Sequence, residues 1–295
     1  MKASVIVPVY NDLRVEACIL SLLAQDYPKE AYEIIVVDNN SNDLTRKVIQ
    51  QFDVKYMREN RKGSYFARNK GLEVASGDIA AFIDADCVAD SLWLSKLLES
   101  FTDSNVGGVG GGILKLEPQT WVQAHTEDLA EQQLVPQYLP FYDAPYIVTA
   151  NAAYRRSILS LIGGFDVQFQ SGGDVDLAWR VHRAGFKIIT NPEAITSHAA
   201  RETVKSYFKQ FFNYAVGHVL LFKKYRHKTG FFINTYPLLG LSSLLFSVIP
   251  ALFVQKLLGK PRTLKKGKIY IELVKYLAII AGNLYGAAKY RIPYF

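Results

Sequence analysis

The sequence predicts an α/β protein with a mostly parallel central sheet flanked by helices, followed by a helical region. Two observations support this fold class. Apolar, β-branched runs alternate with helical patterns at short intervals in the first third of the chain, which is typical of parallel sheets with right-handed crossovers. From residue 201 onward, long apolar stretches lie beside clusters of basic residues instead.

The composition excludes several classes of protein. The chain has 295 residues, 49% of them hydrophobic and 21% charged, so it can bury a sizeable core and is not disordered. Its net charge of +7 comes with basic residues beside apolar stretches, which favours an anionic membrane surface over nucleic acid as a partner. Cys18 and Cys87 form no zinc or disulfide pattern and suit a reducing compartment.

Two strand and helix units open the chain. The first predicted strand is Ala3–Val9, and the helix after it has a predicted buried stripe of apolar residues at helical spacing: Leu13, Ala17, Leu20 and Ala24. The second strand contains Ile34–Val37. It leads into a helix for which Ser41 or Asp43 is the predicted amino-terminal cap.

The stretch Ile79–Ile83 is a short apolar run that ends abruptly in Asp84-Ala85-Asp86. It predicts a buried strand that finishes at Asp84 and delivers two carboxylates to an open edge of the sheet. Hard divalent cations such as Mg²⁺ or Mn²⁺ take oxygen ligands from carboxylates and substrate phosphates, so the pattern predicts a metal and diphosphate site. The alternative is that both acids only cap the next helix or loop.

Polar side chains follow three predicted strands at the same edge of the sheet. They are Tyr10 with Asp12, Asp38 with Asn40, and Asp84 with Asp86. Because ligands of open α/β sheets bind at this edge, one ligand site explains all three sets, whereas a structural interpretation needs three independent caps.

The glycine run Gly107–Gly112 is followed directly by apolar residues and does not open a helix. We predict a strand whose backbone approaches a ligand closely, with a flexible bend as the alternative.

A helical pattern begins at Asp174, after Gly172 and Gly173. The helix dipole and free amides stabilise a carboxylate at this end as the anion, so Asp174 could serve as a general base. The local alternative is a capping role, with Asp176 in the first turn. His198 stands alone in the sequence, and a lone histidine is more often structural than a ligand.

Together these residues resemble the family 2 glycosyltransferases, an inverting group with the Rossmann-like GT-A fold. The matching stretches are VIVPVYND, VVDNNSND, ARNKG, FIDADC, TANAAYRR, GGFD and GGDVDLAWRVHRAG, followed by His198. The resemblance implies a nucleotide-sugar-binding half at residues 1–115 and an acceptor-binding, catalytic half at 116–200. We predict that residues 201–295 form an amphipathic and hydrophobic helical region associated with a membrane.

The resemblance also implies roles for single residues. The nucleotide base would be surrounded by Pro8, Tyr10 and Asp12, and its ring would be bound by Asp38, with Asn40 at the same strand end. The phosphates would lie near Arg68, and the ribose side would contact Asp84. Asp86 and His198 would hold a divalent metal, Mg²⁺ or Mn²⁺. Asp174 matches the catalytic acid of the family's Glu-Asp pair, although Gly173 replaces the usual Glu, and Asn151 and Asp176 are expected on the acceptor side.

The implied activity is metal-dependent transfer of a sugar, with inversion, from a UDP- or GDP-sugar to a lipid-linked or polysaccharide acceptor. Asp174 takes the acceptor's proton during a single displacement. Two alternatives are a noncatalytic sugar-binding or assembly subunit, which the missing acid at Gly173 keeps open, and a nucleotide-sugar nucleotidyltransferase. The latter is expected to carry a glycine-rich basic loop after the first strand, where Val9-Tyr10-Asn11-Asp12 stands instead.

Three stretches indicate contact with a membrane. Aromatic residues alternate with lysines over 207–222, Pro237–Val254 has no charge, and Ile269–Ala288 is interrupted by Glu272 and Lys275. Two full spans would place the basic residues between them opposite a cytosolic catalytic domain, against the positive-inside tendency. We therefore predict re-entrant or interfacial helices on the cytoplasmic face of the membrane, with a buried helical subdomain as the alternative.

Overall fold

A computed structural model describes residues 1–126, 137–139, 142–225, 238–239, 242, 266–292 and 294. The strands are β1 (Ala3–Val9), β2 (Tyr32–Asp38), β3 (Lys55–Arg58), β4 (Ile79–Ile83), β5 (Cys87–Ala89), β6 (Val106–Lys115), β7 (Gln137–Leu139), β8 (Tyr142–Tyr146), β9 (Asn151–Arg155) and β10 (Lys187–His198). The α-helices are α1 (Val15–Leu23), α2 (Asp43–Ile49), α3 (Ser64–Val74), α4 (Trp93–Glu99), α5 (Trp121–His125), α6 (Arg156–Ile162), α7 (Gly173–Arg183), α8 (Val204–Tyr225) and α9 (Lys266–Tyr290).

Eight of these strands form one sheet in the order β3-β2-β1-β4-β9-β6-β10-β5. The first four run parallel to one another, β6 and β10 are also parallel, and β9 and β5 pair antiparallel to their neighbours. Every residue of β1 and β4 is buried, as continuous apolar runs in a parallel sheet require. The predicted α/β class with a mostly parallel sheet is confirmed.

Helix α1 packs on the sheet through a different stripe from the predicted one. Its buried residues are Val15, Cys18, Ile19 and Leu22, whereas Leu13 and Leu20 are about half exposed. Both series have helical spacing, so periodicity alone could not decide between them. The series that faces the core is Val15, Cys18, Ile19 and Leu22, so the predicted stripe is wrong.

The glycine run lies in β6, as predicted, but the close approach there is made by the chain itself. A Cβ on Gly108 would lie 2.6 Å from the ring of Tyr154, and one on Gly112 would lie 2.6 Å from the carbonyl oxygen of Pro192. Glycine in β6 therefore lets neighbouring segments of the protein pack against the strand.

The described chain divides into two compact units. The α/β unit consists of 1–116 and 128–199, and the helical unit consists of 117–127 and 200–295. The finer division into a donor half, an acceptor half and a membrane region stays a prediction.

In the helical unit, α8 and α9 pack closely because Gly282 and Gly286 of α9 face α8. A Cβ on Gly282 would lie 2.5 Å from the carbonyl oxygen of Phe212, and one on Gly286 would lie 2.9 Å from a side-chain carbon of Val219. Among the described residues, Gly267–Tyr290 is the one helix that is long and apolar enough to cross a membrane, by length and composition alone. Most of the predicted segment Pro237–Val254, and most of the basic residues after it, lie outside the described residues.

Candidate active site

The site lies at the edge of the sheet where β1, β2 and β4 end side by side. The loops after β1 and β2 are joined by two hydrogen bonds: the amide of Asn11 donates to Ser41 Oγ at 3.0 Å, and the amide of Asn42 donates to Asn11 Oδ1 at 2.7 Å. Asn42, rather than Ser41 or Asp43, caps α2 by accepting from the amide of Thr45. The Ser41 hydroxyl thus joins the two loops and does not cap the helix.

Two arginines bind the carboxylates at this edge. Arg14 Nη2 lies 2.6 Å from Asp12 Oδ2 and 3.6 Å from Asp86 Oδ2. Arg68, which is almost fully buried in α3, lies 2.5 Å from Asp84 Oδ1. The structure therefore brings together Asp12 from the first predicted strand end and Asp84 and Asp86 from the third.

Asp86 also meets His198, although the two are far apart in sequence. Strand β10 pairs antiparallel with β5, in a register that places His198 opposite Cys87. This pairing brings His198 Nε2 to 3.5 Å from Asp86 Oδ1.

The ligand atoms of Asp86, Cys87 and His198 lie within 4.8 Å of one another. Burial, and then the charges of Asp84 and Asp86, raise the pKa of the Cys87 thiol well above its usual value, so the thiol stays protonated and is a poor ligand. An imidazole and a carboxylate remain, and with substrate phosphate oxygens they suit a divalent cation such as Mg²⁺ or Mn²⁺. The residues present therefore fit the implied metal.

Asp174 lies in the first turn of α7, which begins after Gly172 in a left-handed conformation (φ 81°) that favours glycine. Its Oδ1 accepts from the amide of Val175 at 3.0 Å and lies 3.5 Å from the hydroxyl of Tyr65. Burial raises the pKa of this carboxyl, the Arg68 guanidinium lowers it, and Asp84 raises it. Tyr65 lies between the two parts of the site, because its ring centroid is 5.5 Å from the Arg68 guanidinium and its hydroxyl is 3.5 Å from Asp174. Asp174 therefore lies close to the strand-end pair of Arg68 and Asp84.

Helix α3 connects the start of α7 with the end of β4 through side chains one turn apart. This group of side chains was not predicted from the sequence. Tyr65 accepts from the amide of Gly173 at 2.9 Å, and Arg68 pairs with Asp84. Asn69 accepts from the amide of Phe165 and donates to its carbonyl, each at 2.8 Å. The spacing i, i+3, i+4 places the three on one helix face, and this periodicity is the signal that could have found them.

A family model described as glycosyl transferase family 2 matches residues 4–163, more than half of the chain. The chain belongs to glycosyl transferase family 2. Glycosyltransferase AglE of Haloferax volcanii is 32% identical to it over 215 residues, which cover 70% of each chain. This protein is therefore a glycosyltransferase, and the predicted family is confirmed.

Two further proteins are similar to this chain, one in sequence and one in fold. The dolichyl N-acetyl-α-D-glucosaminyl phosphate 3-β-D-2,3-diacetamido-2,3-dideoxy-β-D-glucuronosyltransferase of Methanococcus voltae is 26% identical over 238 residues, which cover 75% of this chain and 74% of the relative. The mannosyltransferase PcManGT of Pyrobaculum calidifontis, solved with GDP-Man and Mn²⁺, has a TM-score of 0.67 over 96% of this chain and 87% of that one. At 22% identity this likeness concerns the fold, and it confirms the GT-A type.

In the glycosyltransferase, the residues expected around the nucleotide differ in accessibility. Pro8 is buried in β1 opposite Val37, and the ring of Tyr10 is about half exposed beside the Lys62 ammonium. Asn40 is exposed and accepts a hydrogen bond from Arg58 at 2.9 Å. The nucleotide-binding roles of these three residues stay predictions.

Asp38 of the glycosyltransferase is fully buried, and both of its carboxylate oxygens have donors. The amide of Ser41 donates to Oδ1 at 2.7 Å, and the hydroxyl of Tyr56 donates to Oδ2 at 2.8 Å. Of these two donors, Tyr56 is the more exposed.

Asn151 and Asp176 were expected on the acceptor side, and the structure places both fully inside the glycosyltransferase. Asn151 accepts from the indole of Trp93 at 2.8 Å and donates to two carbonyl oxygens, which binds β9 to its neighbours. Asp176 pairs with Arg180 one turn later at 2.8 Å. Neither side chain is exposed, so neither has a surface that an acceptor could contact.

Proposed function

We propose that this glycosyltransferase moves a sugar from a UDP- or GDP-sugar to a hydroxyl of a lipid-linked or polysaccharide acceptor, with inversion. The observation that supports this proposal is the convergence of Asp174, at the start of α7, with the Arg68 and Asp84 pair at the end of β4. A proton acceptor and a site for a charged donor then lie in one cleft of the α/β unit.

Asp174 serves as the general base in this proposal. The Asp174 carboxylate accepts the proton of the acceptor hydroxyl while that oxygen attacks the anomeric carbon and the bond to the nucleoside diphosphate breaks. One displacement inverts the anomeric centre, and no covalent enzyme intermediate forms. Burial raises the pKa of Asp174 and makes it a stronger base than an ordinary aspartate, while Arg68 and the Val175 amide stabilise its anion.

The donor is held by the strand ends. Asp84 accepts from the ribose side of the nucleotide, and Arg68 places positive charge near the phosphates. Asp12, with Tyr10 and Lys62, lies on the side where the base is expected. Asp86 and His198 would hold Mg²⁺ or Mn²⁺, which supplies positive charge beside the diphosphate when it is bound.

The acceptor is proposed to be presented at a membrane. One relative is named for a dolichyl-phosphate-linked substrate. In the helical unit, Tyr270, Leu277 and Leu284 repeat two turns apart on α9, and each is about half exposed. Lysines such as Lys268 and Lys289 lie near the ends of this helix, as expected of a surface for anionic lipid on the cytoplasmic face.

Product analysis tests the transfer. The full-length protein is incubated with UDP- and GDP-sugars in turn, Mn²⁺ or Mg²⁺, and either dolichyl-phosphate-linked N-acetylglucosamine in vesicles or a soluble oligosaccharide. We expect nucleoside diphosphate and a product of inverted anomeric configuration, with turnover abolished by chelation of the metal. Release of pyrophosphate, or retention of configuration, would contradict the proposal.

Vesicle flotation tests the membrane surface separately. We expect the protein to float with phosphatidylglycerol vesicles and less with phosphatidylcholine vesicles. Leu277→Glu with Leu284→Glu should abolish flotation but leave binding of the nucleotide sugar unchanged. Equal flotation with both lipids, or flotation of the double variant, would exclude this surface.

A further inference from the structure

We propose that Tyr65 is a positioning residue for Asp174, and that residue 173 must be glycine because the ring of Tyr65 fills the space beside it. This inference rests on the proposed role of Asp174 as the general base. It concerns a side chain of α3 and a backbone position of α7 to which the sequence analysis assigned no role.

The direction of the hydrogen bonds makes Tyr65 a donor to the base. A tyrosine hydroxyl has one proton and two lone pairs. The amide of Gly173 donates to this hydroxyl at 2.9 Å, so the hydroxyl uses a lone pair there and its proton is available to Asp174 Oδ1, 3.5 Å away. Catalytic hydrogen bonds of this length often shorten when substrate binds.

Both contacts of the carboxylate then involve the same oxygen. The amide of Val175 donates to Oδ1 at 3.0 Å, and the Tyr65 hydroxyl approaches Oδ1 as well. Two donors on one oxygen fix the plane of the carboxylate, and Oδ2 is then the oxygen proposed to take the acceptor's proton. Tyr65 thereby acts through Asp174 and does not contact the substrate.

The ring of Tyr65 is itself held in place. It is 6% exposed and stacks on Phe165 with centroids 5.5 Å apart and an interplanar angle of 19°. The guanidinium of Arg68 lies 5.5 Å from the Tyr65 ring centroid, and Asn69 binds both backbone groups of Phe165. The hydroxyl cannot leave Asp174 without disturbing this stack.

A side chain at residue 173 would disturb the stack. A Cβ built on Gly173 would lie 2.7 Å from two atoms of the Tyr65 ring. Because the ring is rigid and packed on Phe165, it cannot turn away as the end of a long side chain could. Any larger residue at 173 would therefore move the Tyr65 hydroxyl away from Asp174.

The first test removes the hydroxyl in Tyr65→Phe and compares it with Tyr154→Phe. Tyr154 is a matched control, because its phenol is buried in the field of Asp174 yet its oxygen has no hydrogen-bond partner among the described residues. Carbon-13 NMR of the aspartate carboxyls, with Asp174 assigned from the Asp174→Asn spectrum, follows the titration without any substrate. We expect Tyr65→Phe to raise the pKa of Asp174, since a donor to the anion is lost, and Tyr154→Phe to leave it unchanged.

Turnover gives the second readout. With the donor and acceptor that support nucleoside diphosphate release, Tyr65→Phe should lower kcat about tenfold, as expected for one lost hydrogen bond to a charged group, and leave the KM for the donor unchanged. An unchanged Asp174 titration and an unchanged kcat in Tyr65→Phe would overturn the positioning role. If Asp174→Asn kept full turnover, the base assignment would fail instead, and the titration would still report the hydrogen bond.

The third test concerns Gly173. Gly173→Ala should raise the pKa of Asp174 and lower kcat about as Tyr65→Phe does. In a Tyr65→Ala background, where the ring is absent, adding Gly173→Ala should change neither quantity further. Equal effects of Gly173→Ala in both backgrounds would overturn the steric explanation.

Discussion

Charged side chains are arranged differently in the two units of this glycosyltransferase. In the α/β unit, the carboxylates of Asp12, Asp84 and Asp86 lie at one edge of the sheet, where Arg14 and Arg68 bind them. Arg68 also lowers the pKa of Asp174, which comes from a distant part of the chain. In the helical unit, Glu272 and Lys275 of α9 pair one turn apart at 3.0 Å, and both are nearly buried.

The difference separates charge used for chemistry from charge that permits packing. Carboxylates that converge through tertiary structure repel one another, and such an arrangement is maintained where a ligand or a reaction needs it. A pair within one helix turn neutralises itself as the helix forms and allows α9 to pack on α8. Substitutions in the first group should therefore change reaction rates, and those in the second group should change stability.

The largest expected effect comes from Asp174→Asn. Removal of a general base should lower kcat by about 100- to 10,000-fold and leave the melting temperature within a few degrees of the parent. Steady-state kinetics and thermal unfolding measure the two quantities. A variant that keeps more than a tenth of the parent kcat would remove Asp174 from the mechanism.

Asp176→Asn, two residues later in α7, is the matched contrast. Asp176 is fully buried and pairs with Arg180, so breaking this ion pair should reduce the free energy of unfolding by about 3 kcal/mol. The folded variant should keep its kcat. A selective rise in the KM for the acceptor would restore the acceptor-side role that the sequence suggested.

Lys275→Met applies the same test to the helical unit. Leaving Glu272 without its partner should cost about 3 kcal/mol in the free energy of unfolding, measured with denaturant. Glu272→Gln combined with Lys275→Met should recover most of that loss, because no buried charge remains. If the double variant is no more stable than the single one, the pair is not the reason for the loss.

Metal binding should depend on Asp86 and on no surface acid. Asp86→Asn should weaken Mn²⁺ binding, measured by electron paramagnetic resonance, by about 10- to 100-fold or more. Asp103→Asn removes an acid that pairs with Lys187 away from the cleft and should leave the Mn²⁺ affinity unchanged. Equal Mn²⁺ binding by the parent and Asp86→Asn would place the metal elsewhere.

The sequence predicted most of the strand edge because its signals are local. The predicted strands Ala3–Val9 and Ile79–Ile83 have the same bounds as β1 and β4, since an uninterrupted apolar run followed by turn residues has one good interpretation. The prediction of the buried face of α1 was wrong because two apolar stripes of this helix have helical spacing, and only packing on the sheet selects one of them.

The α3 face was missed for a different reason. Tyr65 meets Gly173 across 108 positions of sequence, and neither residue type indicates the contact by itself. The sequence showed that Gly173 departs from the family pattern, but the cause is steric and becomes visible only when the Tyr65 ring is placed. The pairing of His198 with Asp86 likewise depends on the antiparallel register of β10 and β5.

The smallest expected effect is a shift in the pH profile, and it tests whether the converging carboxylates act on one another. Burial and Asp84 raise the pKa of Asp174, so the acid limb of kcat/KM should lie above the usual aspartate value near pH 4. The base must be deprotonated, so activity should rise as the pH passes upward through this pKa.

Asp84→Asn removes a negative charge near Asp174 and frees Arg68 to act on it, so the acid limb should move to lower pH by less than about one unit. The same measurement on Glu272→Gln with Lys275→Met should show no shift, because the groups that shift the pKa of Asp174 do not include this pair. A shift to higher pH in Asp84→Asn would mean that Asp84 and Asp174 do not share a cleft.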